Sequence, residues 1–349
     1  MTKKIHNLFC NALMTTVMII AIIVIVIAVL FDFSNGFHDA ANIVATIISS
    51  RSMSPETALI IASICEFAGP LLFGTAVAAM IGKGLVEPSD INVWIILAAI
   101  SAAIIWNLMT WWLGLPSSSS HALIGGIAGA VIAGTGFTKL KIAGFSKVIL
   151  VLITSPILGL VVGFVVLKLI LYLCRGQSPK INNFFKKSQL VTASAMALSH
   201  GANDAQKTMG IITIVLTMSG LSENTGQFHV PLWVVLTCAT AISLGTATGG
   251  WSIIKTVGSG IYKLRPVHGF SAQLSSALII FLSAHFGFPV STTHIASSSI
   301  MGVGSAERIK AVKWHKAGEI VMTWFLTIPA SGVVAALIYG MISVLQNNF

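Results

Sequence analysis

Polar and apolar positions along the chain form long apolar runs separated by short polar segments. The runs fall near residues 12–30, 57–81, 91–113, 121–133, 148–173, 190–218, 231–257, 271–286, 295–303 and 318–345. Lengths of this kind, without strict alternation, predict helices; a strand of an outer-membrane barrel would alternate over about 10 residues. The runs at 121–133 and 295–303 are too short to cross a hydrocarbon layer of roughly 30 Å and predict broken or re-entrant half-helices. The expected fold is therefore an all-α polytopic membrane protein of about 10–12 helical segments.

The first run follows Lys3 and Lys4 as a secretory signal would. It is too long for a signal h-region and continues into FDFSNGFHD without a small-residue cleavage pattern, so a retained span is expected.

Composition sharpens this reading. Of the 349 residues, 55% are hydrophobic and 9% charged, with mean hydropathy +0.92, which excludes a soluble domain. The 31 glycines suggest close helix packing and interrupted helices. A formal net charge of +10 invites a nucleic-acid reading, but the basic residues sit in short loops between apolar spans, where they set membrane orientation; no nucleic-acid partner is expected. Cys10, Cys65, Cys174 and Cys238 are isolated, with neither disulfide nor zinc spacing.

Two motifs recur. FSNGFHDAAN at 33–42 aligns without gaps on LSHGANDAQK at 198–207, matching Ser34 with Ser199, Gly36 with Gly201, Asp39 with Asp204 and Ala40 with Ala205. LPSSSSH at 115–121 aligns with FPVSTTH at 288–294, matching Pro116 with Pro289 and His121 with His294. Two motifs in the same order at nearly the same offset imply a duplicated unit. The expected organisation is a first repeat over 1–147, a connecting span and basic linker over 148–189, a second repeat over 190–310 and a C-terminal span over 311–349.

Loop charges bear on orientation. If each aspartate-bearing segment crosses once, one side receives Arg51, the basic residues of 175–187, Lys255, Lys263, Arg265 and those of 308–316, which is 12 of the 20 basic residues. The other side receives Lys3, Lys4, Lys83, Lys139, Lys141 and Lys147 with Glu87, Asp90 and Glu223. The more basic side is expected to be cytoplasmic, both termini outside, and the two copies inverted relative to each other.

Four of the ten acidic residues, Asp32, Asp39, Glu66 and Asp204, lie in or beside apolar spans. A carboxylate in hydrocarbon costs at least about 2.5 kcal/mol, so each needs a cation, a proton or a partner. Asp32 is open between such a role and an interface-facing or capping one, and Glu66 between pairing with a helix end and binding a cation. Asp39 and Asp204 hold equivalent places beside glycines that suggest an interrupted helix. In SSSSH and STTH a proline and hydroxyl residues precede an apolar run, the pattern of an N-cap. In half-helices the same ends offer free N–H groups and positive dipole to an anion, with hydroxyls from Ser118, Ser119, Ser120, Ser291, Thr292 and Thr293. His121 and His294 are open between a role there and a hydrogen bond to a neighbouring helix. No P-loop, nucleophile–base pair or metalloprotease spacing occurs, so neither an ATP-driven pump nor an enzyme is expected, and no cofactor. Trp106, Trp111, Trp112, Trp314 and Trp324 fit an interfacial belt or packing.

At these residues the chain resembles the inorganic phosphate transporter (PiT) family. NGFHDAAN and HGANDAQKTMG are similar to its two signature copies, and WNLMTWWLGLPSSSSHALIGG, GTATGGWSIIKTVG and FPVSTTH to further family segments, so the resemblance covers residues 32–304. It implies two inverted repeats, a homodimer, and phosphate carried by symport with H⁺ or Na⁺ across the cell inner membrane, with low-affinity-type transport. It implies that Asp39 and Asp204 serve cation coupling, as Na⁺ ligands if sodium is the ion, with Asn42 and Asn203 as neutral oxygen ligands and Glu66 beside them. The hydroxyl motifs, with Gln206 and Lys207, are then assigned to phosphate. Relatives that carry sulfate or a metal-phosphate complex remain alternatives, as does, in another class, an anion channel or a receptor. Two departures lean toward H⁺: Lys207 stands opposite Asn42 where sodium-coupled relatives repeat an asparagine, and Gln273 stands where relatives often have glutamate.

Overall fold

The computed structural model describes residues 2–221 and 228–348. Glu223, counted above among the loop charges, lies outside them, as do the side chains of Lys3, Lys4 and Cys10. The described residues form twelve α-helices: α1 (Thr2–Ser49), α2 (Pro55–Phe73), α3 (Ala76–Gly84), α4 (Val93–Trp112), α5 (Ser119–Gly134), α6 (Ile142–Leu173), α7 (Ile181–Met218), α8 (Leu232–Thr248), α9 (Trp251–Gly260), α10 (Pro266–His285), α11 (Thr292–Arg308) and α12 (Trp314–Asn348). No strand forms among them.

Local chemistry sets several helix starts. Ser54 caps α2 by accepting from Thr57 N with Pro55 in the first turn, Asn92 caps α4 by accepting from Ile95 N, and Pro266 opens α10. Six helices are long and apolar enough to span a membrane, and the pair α8–α9 makes a seventh if counted as one span bent by 71°. The bend falls at Gly249, whose φ of 68° suits glycine. At 1.5 Å per residue, α5 and α11 reach only about 25 Å, short of a full crossing.

Helix α7 carries the polar motif yet is long enough to cross a membrane, and its surroundings show how this is tolerated. From Ser199 to Leu216 every residue is buried, so the helix meets protein on all sides and has no need of a lipid-compatible surface. The glycine-rich motifs also behave differently from expectation. Both α1 and α7 run unbroken through Gly36 and Gly201. The glycines serve approach instead: a Cβ at Gly36 would lie 2.1 Å from the Ile242 carbonyl oxygen of α8, and one at Gly201 would lie 2.3 Å from the Glu66 carbonyl oxygen of α2. Neither backbone can retreat without disturbing its helix. Gly36→Val and Gly201→Val are each expected to lower stability by at least about 1–3 kcal/mol, read as a drop in thermal midpoint of the purified protein.

The packing repeats itself. Helix α1 packs on α8 as α7 packs on α2; α6 packs on α11 as α12 packs on α5; α4 packs on α1 as α10 packs on α7; and α3 meets α7 as α9 meets α1. Pro156 inside α6 and Pro329 inside α12 stand 173 residues apart, the same offset as His121 and His294. Two apolar cores flank a polar layer. Helix α1 contributes Ala21 to Phe31 to one core and Ala40 to Ile47 to the other, whereas α7 contributes Ala205 to Leu216 to the first and Ala193 to Ala197 to the second. The two motif helices therefore run in opposite senses through the molecule.

Candidate functional site

The polar layer between the cores is built from helical spacing. On α1, Asn35, His38, Asp39 and Asn42 stand at i, i+3, i+4 and i+7; on α7, His200, Asn203, Asp204 and Lys207 repeat that spacing. Each set shares one helix face, and the faces meet beside the N-termini of α5 and α11. All eight residues are at most 3% exposed.

Asp39 is surrounded by donors. His38 Nδ1 lies 2.7 Å from its Oδ1, Thr293 donates to Oδ1 at 3.2 Å and Ser119 to Oδ2 at 3.2 Å. The far nitrogen of His38 is 3.2 Å from Thr110 Oγ1, which is 2.8 Å from Ser117 Oγ. This chain of hydroxyls holds the imidazole against the carboxylate.

Asp204 is held by an ammonium. Lys207 Nζ donates to Asp204 Oδ1 at 2.6 Å, to Ser120 Oγ at 2.5 Å and to the Val290 carbonyl at 3.3 Å, which occupies all three of its donors. Asn35 donates to Asp204 Oδ2 at 3.4 Å. The Thr292 hydroxyl bridges the two carboxylates, 3.3 Å from Asp204 Oδ2 and 3.5 Å from Asp39 Oδ2, and its single proton serves one at a time. His200 completes the centre, with Nε2 3.5 Å from Asp204 Oδ2 and 3.9 Å from Asp39 Oδ2, and Nδ1 paired with Glu66.

The other residues expected at a site are placed as follows. Ser118 and Ser291 are N-caps, each accepting from the backbone N–H of His121 or His294 at 3.2 Å, so the capping reading of SSSSH and STTH holds for their first helix-capping hydroxyls. The next residues, Ser119, Ser120, Thr292 and Thr293, carry the hydroxyls that reach the polar layer. Asn42 donates to Thr293 Oγ1 at 3.0 Å and Asn203 to the Phe288 carbonyl at 3.1 Å. Gln206 turns away from this layer: its Oε1 accepts from Val77 N and Ala78 N at the start of α3, and its Nε2 donates to the Ala202 carbonyl. Glu66 pairs with His200 and not with a helix end. Asp32 sits in the middle of α1, where it can cap nothing; it is fully buried beside Thr208 and Cys238, and among the described residues neither carboxylate oxygen has a partner at good hydrogen-bond geometry. Gln273 bridges α7 and α1, accepting from Thr192 and donating to the Ile43 carbonyl. Cys65, Cys174 and Cys238 are free thiols.

Polar residues of the layer to which the sequence assigned no role are His38, Asn35, Thr110 and His200, the last noted only as a neighbour of Asp204 and Lys207. Both histidines carried a signal: His38 adjoins Asp39, and His200 precedes Asp204 by four residues, one helical turn.

Chemically, Asp39, His200 and Asp204 each offer a ligand atom within 4.8 Å of the others, enough to hold one cation. The oxygens of Asn35, Asn42 and Asn203 face no donor and could add to such a set. The hydroxyls, the ammonium and two helix N-termini around them suit an oxyanion.

Comparison with known proteins shows the family. The profile of the phosphate transporter family matches residues 35–180 and 174–335. The chain belongs to the phosphate transporter family. It is 46% identical over 329 residues to a Bacillus subtilis (strain 168) protein described as "Probable low-affinity inorganic phosphate transporter", covering 93% of this chain and 98% of that one. A Rhizobium meliloti (strain 1021) protein with the same description is 45% identical over 316 residues, covering 90% and 94%. Among solved structures, one titled "The sodium-dependent phosphate transporter" superposes with a TM-score of 0.85 at 26% identity, covering 93% of this chain and 99% of that one. This phosphate transporter is thus a multi-pass membrane protein and no enzyme.

Proposed function

We propose that the protein carries inorganic phosphate across the cytoplasmic membrane by symport with protons, at one site between two inverted repeats. The observation that carries the proton reading is that each aspartate already has a nitrogen partner on one of its two oxygens: His38 on Asp39 Oδ1 and Lys207 on Asp204 Oδ1. Three unpartnered asparagine oxygens favour the second reading, Na⁺ coupling, since a hard cation prefers oxygen ligands.

Coupling follows from competition for hydroxyl protons. Ser119, Thr292 and Thr293 donate to the two carboxylates in this structure. A proton or cation arriving at Asp39 or Asp204 weakens the carboxylate as an acceptor and frees those hydroxyls to turn toward phosphate. Phosphate bound without that charge would face two buried carboxylates, a costly arrangement in a low dielectric. The ion and the anion therefore favour each other's binding, which is what symport requires. Ser119, Ser120, Thr292, Thr293 and Lys207 contact phosphate in this scheme, with the α5 and α11 N-termini. Asp39, Asp204, His200 and Glu66 hold the coupling charge, with Asn42 and Asn203 as further oxygen ligands in the sodium case.

The antiparallel passage of α1 and α7 and the exchange symmetry of the packing support inverted repeats of six helices each, α1–α6 and α7–α12, longer than the units expected from the motifs alone. Alternating access about this symmetry would expose the shared site to each side in turn. Both termini outside and a homodimeric assembly complete the proposal.

The test is labelled-phosphate uptake into vesicles containing the purified protein, with pH and Na⁺ gradients imposed separately. Acid outside is expected to drive accumulation at equal Na⁺. Accumulation driven by Na⁺ alone at equal pH would overturn the proton reading, and flux indifferent to both gradients would point to a channel. Sulfate and divalent metals are expected to compete weakly; strong competition by sulfate, or uptake that requires a divalent metal, would move the substrate to one of those alternatives.

A further inference from the structure

A second site lies outside the polar layer. A cavity of about 160 Å³ is lined by helices from both halves of the chain: His121 of α5, Leu152 and Pro156 of α6, His294 of α11, and Phe325 and Ile328 of α12. Its wall also includes Ile153, which like Phe325 is exposed on the outer, membrane-facing surface at 56% and 75% respectively, so the cavity communicates with the bilayer. Apart from the two imidazoles and the indole of Trp324, whose Nε1 has no hydrogen-bond partner among the described residues, the lining is apolar.

The imidazoles are the anomaly. His121 is anchored, with Nδ1 2.8 Å from Ser118 Oγ. His294 is only 2% exposed, yet its ring makes no hydrogen bond to any described residue; it is held by stacking on Trp324, centroids 4.0 Å apart, and by contact with His121 at 4.3 Å. A buried polar group left unpaired is costly, and buried polar groups are almost always paired. A lipid tail could fill the apolar space but would leave His294 unpaired. Water could pair with His294 but would leave the apolar walls wet. An occupant satisfying both halves needs an apolar body and one hydrogen-bonding group. An apolar cavity of about 150 Å³ accommodates a single aromatic ring.

We propose that this cavity binds a small uncharged alcohol drawn from the bilayer, its ring or short alkyl chain among Leu152, Phe325 and Ile328 and its hydroxyl donating a hydrogen bond to His294 Nε2. A charged head group is disfavoured, because no counter-charge lines the cavity. The proposal does not depend on which ion couples transport. His294 directly follows Thr292 and Thr293, so the occupant would sit beside the same first turn of α11, around the helix from the hydroxyls that reach the polar layer.

The test uses the full-length protein in lipid nanodiscs, photolabelled with a trifluoromethyl-diazirine benzyl alcohol or its O-methyl ether at equal concentration, with labelled residues mapped by mass spectrometry. The alcohol is expected to label α6 and α12 around Leu152, Phe325 and Ile328 about fivefold more than the ether, the preference of one neutral hydrogen bond. His294→Phe keeps the stacked ring without the nitrogens and is expected to equalise the two probes. Ile153→Trp at the mouth is expected to suppress both. Equal labelling of the native protein by alcohol and ether would overturn the proposal and mark the cavity as a lipid-tail crevice. Labelling confined to other residues, as when a second copy of the chain covers the mouth, would overturn it as well. Because the alcohol-to-ether ratio is read on the native protein, the proposal remains decidable even if His294→Phe does not fold.

Discussion

Asp39→Asn is expected to reduce phosphate uptake to the level of vesicles lacking the protein while leaving a folded transporter. The amide keeps the shape of the carboxylate but cannot carry or release a proton, and it loses the charge that attracts any cation. The four groups around it, His38, Ser119, Thr292 and Thr293, include three hydroxyls that can rotate to accept from the new amide. The structural cost should therefore be modest, about 1–3 kcal/mol. Asp204→Asn is expected to abolish uptake too, but with a larger structural effect, because Lys207 would keep a buried ammonium with only neutral acceptors around it: the new amide oxygen, Ser120 and the Val290 carbonyl. Breaking a buried ion pair by removing one partner costs about 3–5 kcal/mol. Uptake in vesicles and thermal midpoint of the purified variants separate the two effects. Full transport by either variant would remove that aspartate from the coupling site, and full transport by both would remove the site.

The sequence and the structure agree most where the chemistry is local. Alternation of apolar and polar segments marks the helices because the bilayer permits few other backbones. The hydroxyl caps and the Asp39–Asp204 pairing were visible because capping depends on neighbours in the chain and duplication leaves an alignable trace. What escaped the sequence was tertiary. The run at 190–218 marks α7, but only the fold shows that its motif segment is surrounded by protein on all sides. Gly36 and Gly201 read as helix interruptions because glycine weakens helices on average. In the structure each fills a helix crossing where a side chain would strike a carbonyl. Glu66 and His200 are 134 residues apart, so no spacing rule could join them. Gln206 looked like part of the site because it adjoins Lys207, yet successive residues on a helix point about 100° apart, and its amide serves the start of α3.

That helical geometry also isolates the one position where the two halves differ most in charge. Asn42 and Lys207 hold equivalent places, but Asn42 reaches Thr293 while Lys207 neutralises Asp204. If the ammonium stands where a metal ion would otherwise bind, Lys207→Asn should recreate that vacancy. The variant is expected to be destabilised by about 3–5 kcal/mol in sodium-free buffer, since Asp204 loses its buried partner. Added Na⁺, but not choline, should then raise its thermal midpoint, because an ion that binds only the folded state stabilises it by mass action. Lys207→Met removes the same charge without supplying an oxygen ligand and is expected to show the loss without the rescue. The native protein should respond to neither salt at equal ionic strength. A Lys207→Asn variant indifferent to Na⁺ would show that the lysine is not a substitute for a coupling ion, and its three bonds to Asp204, Ser120 and Val290 would then belong to phosphate binding or to helix packing instead.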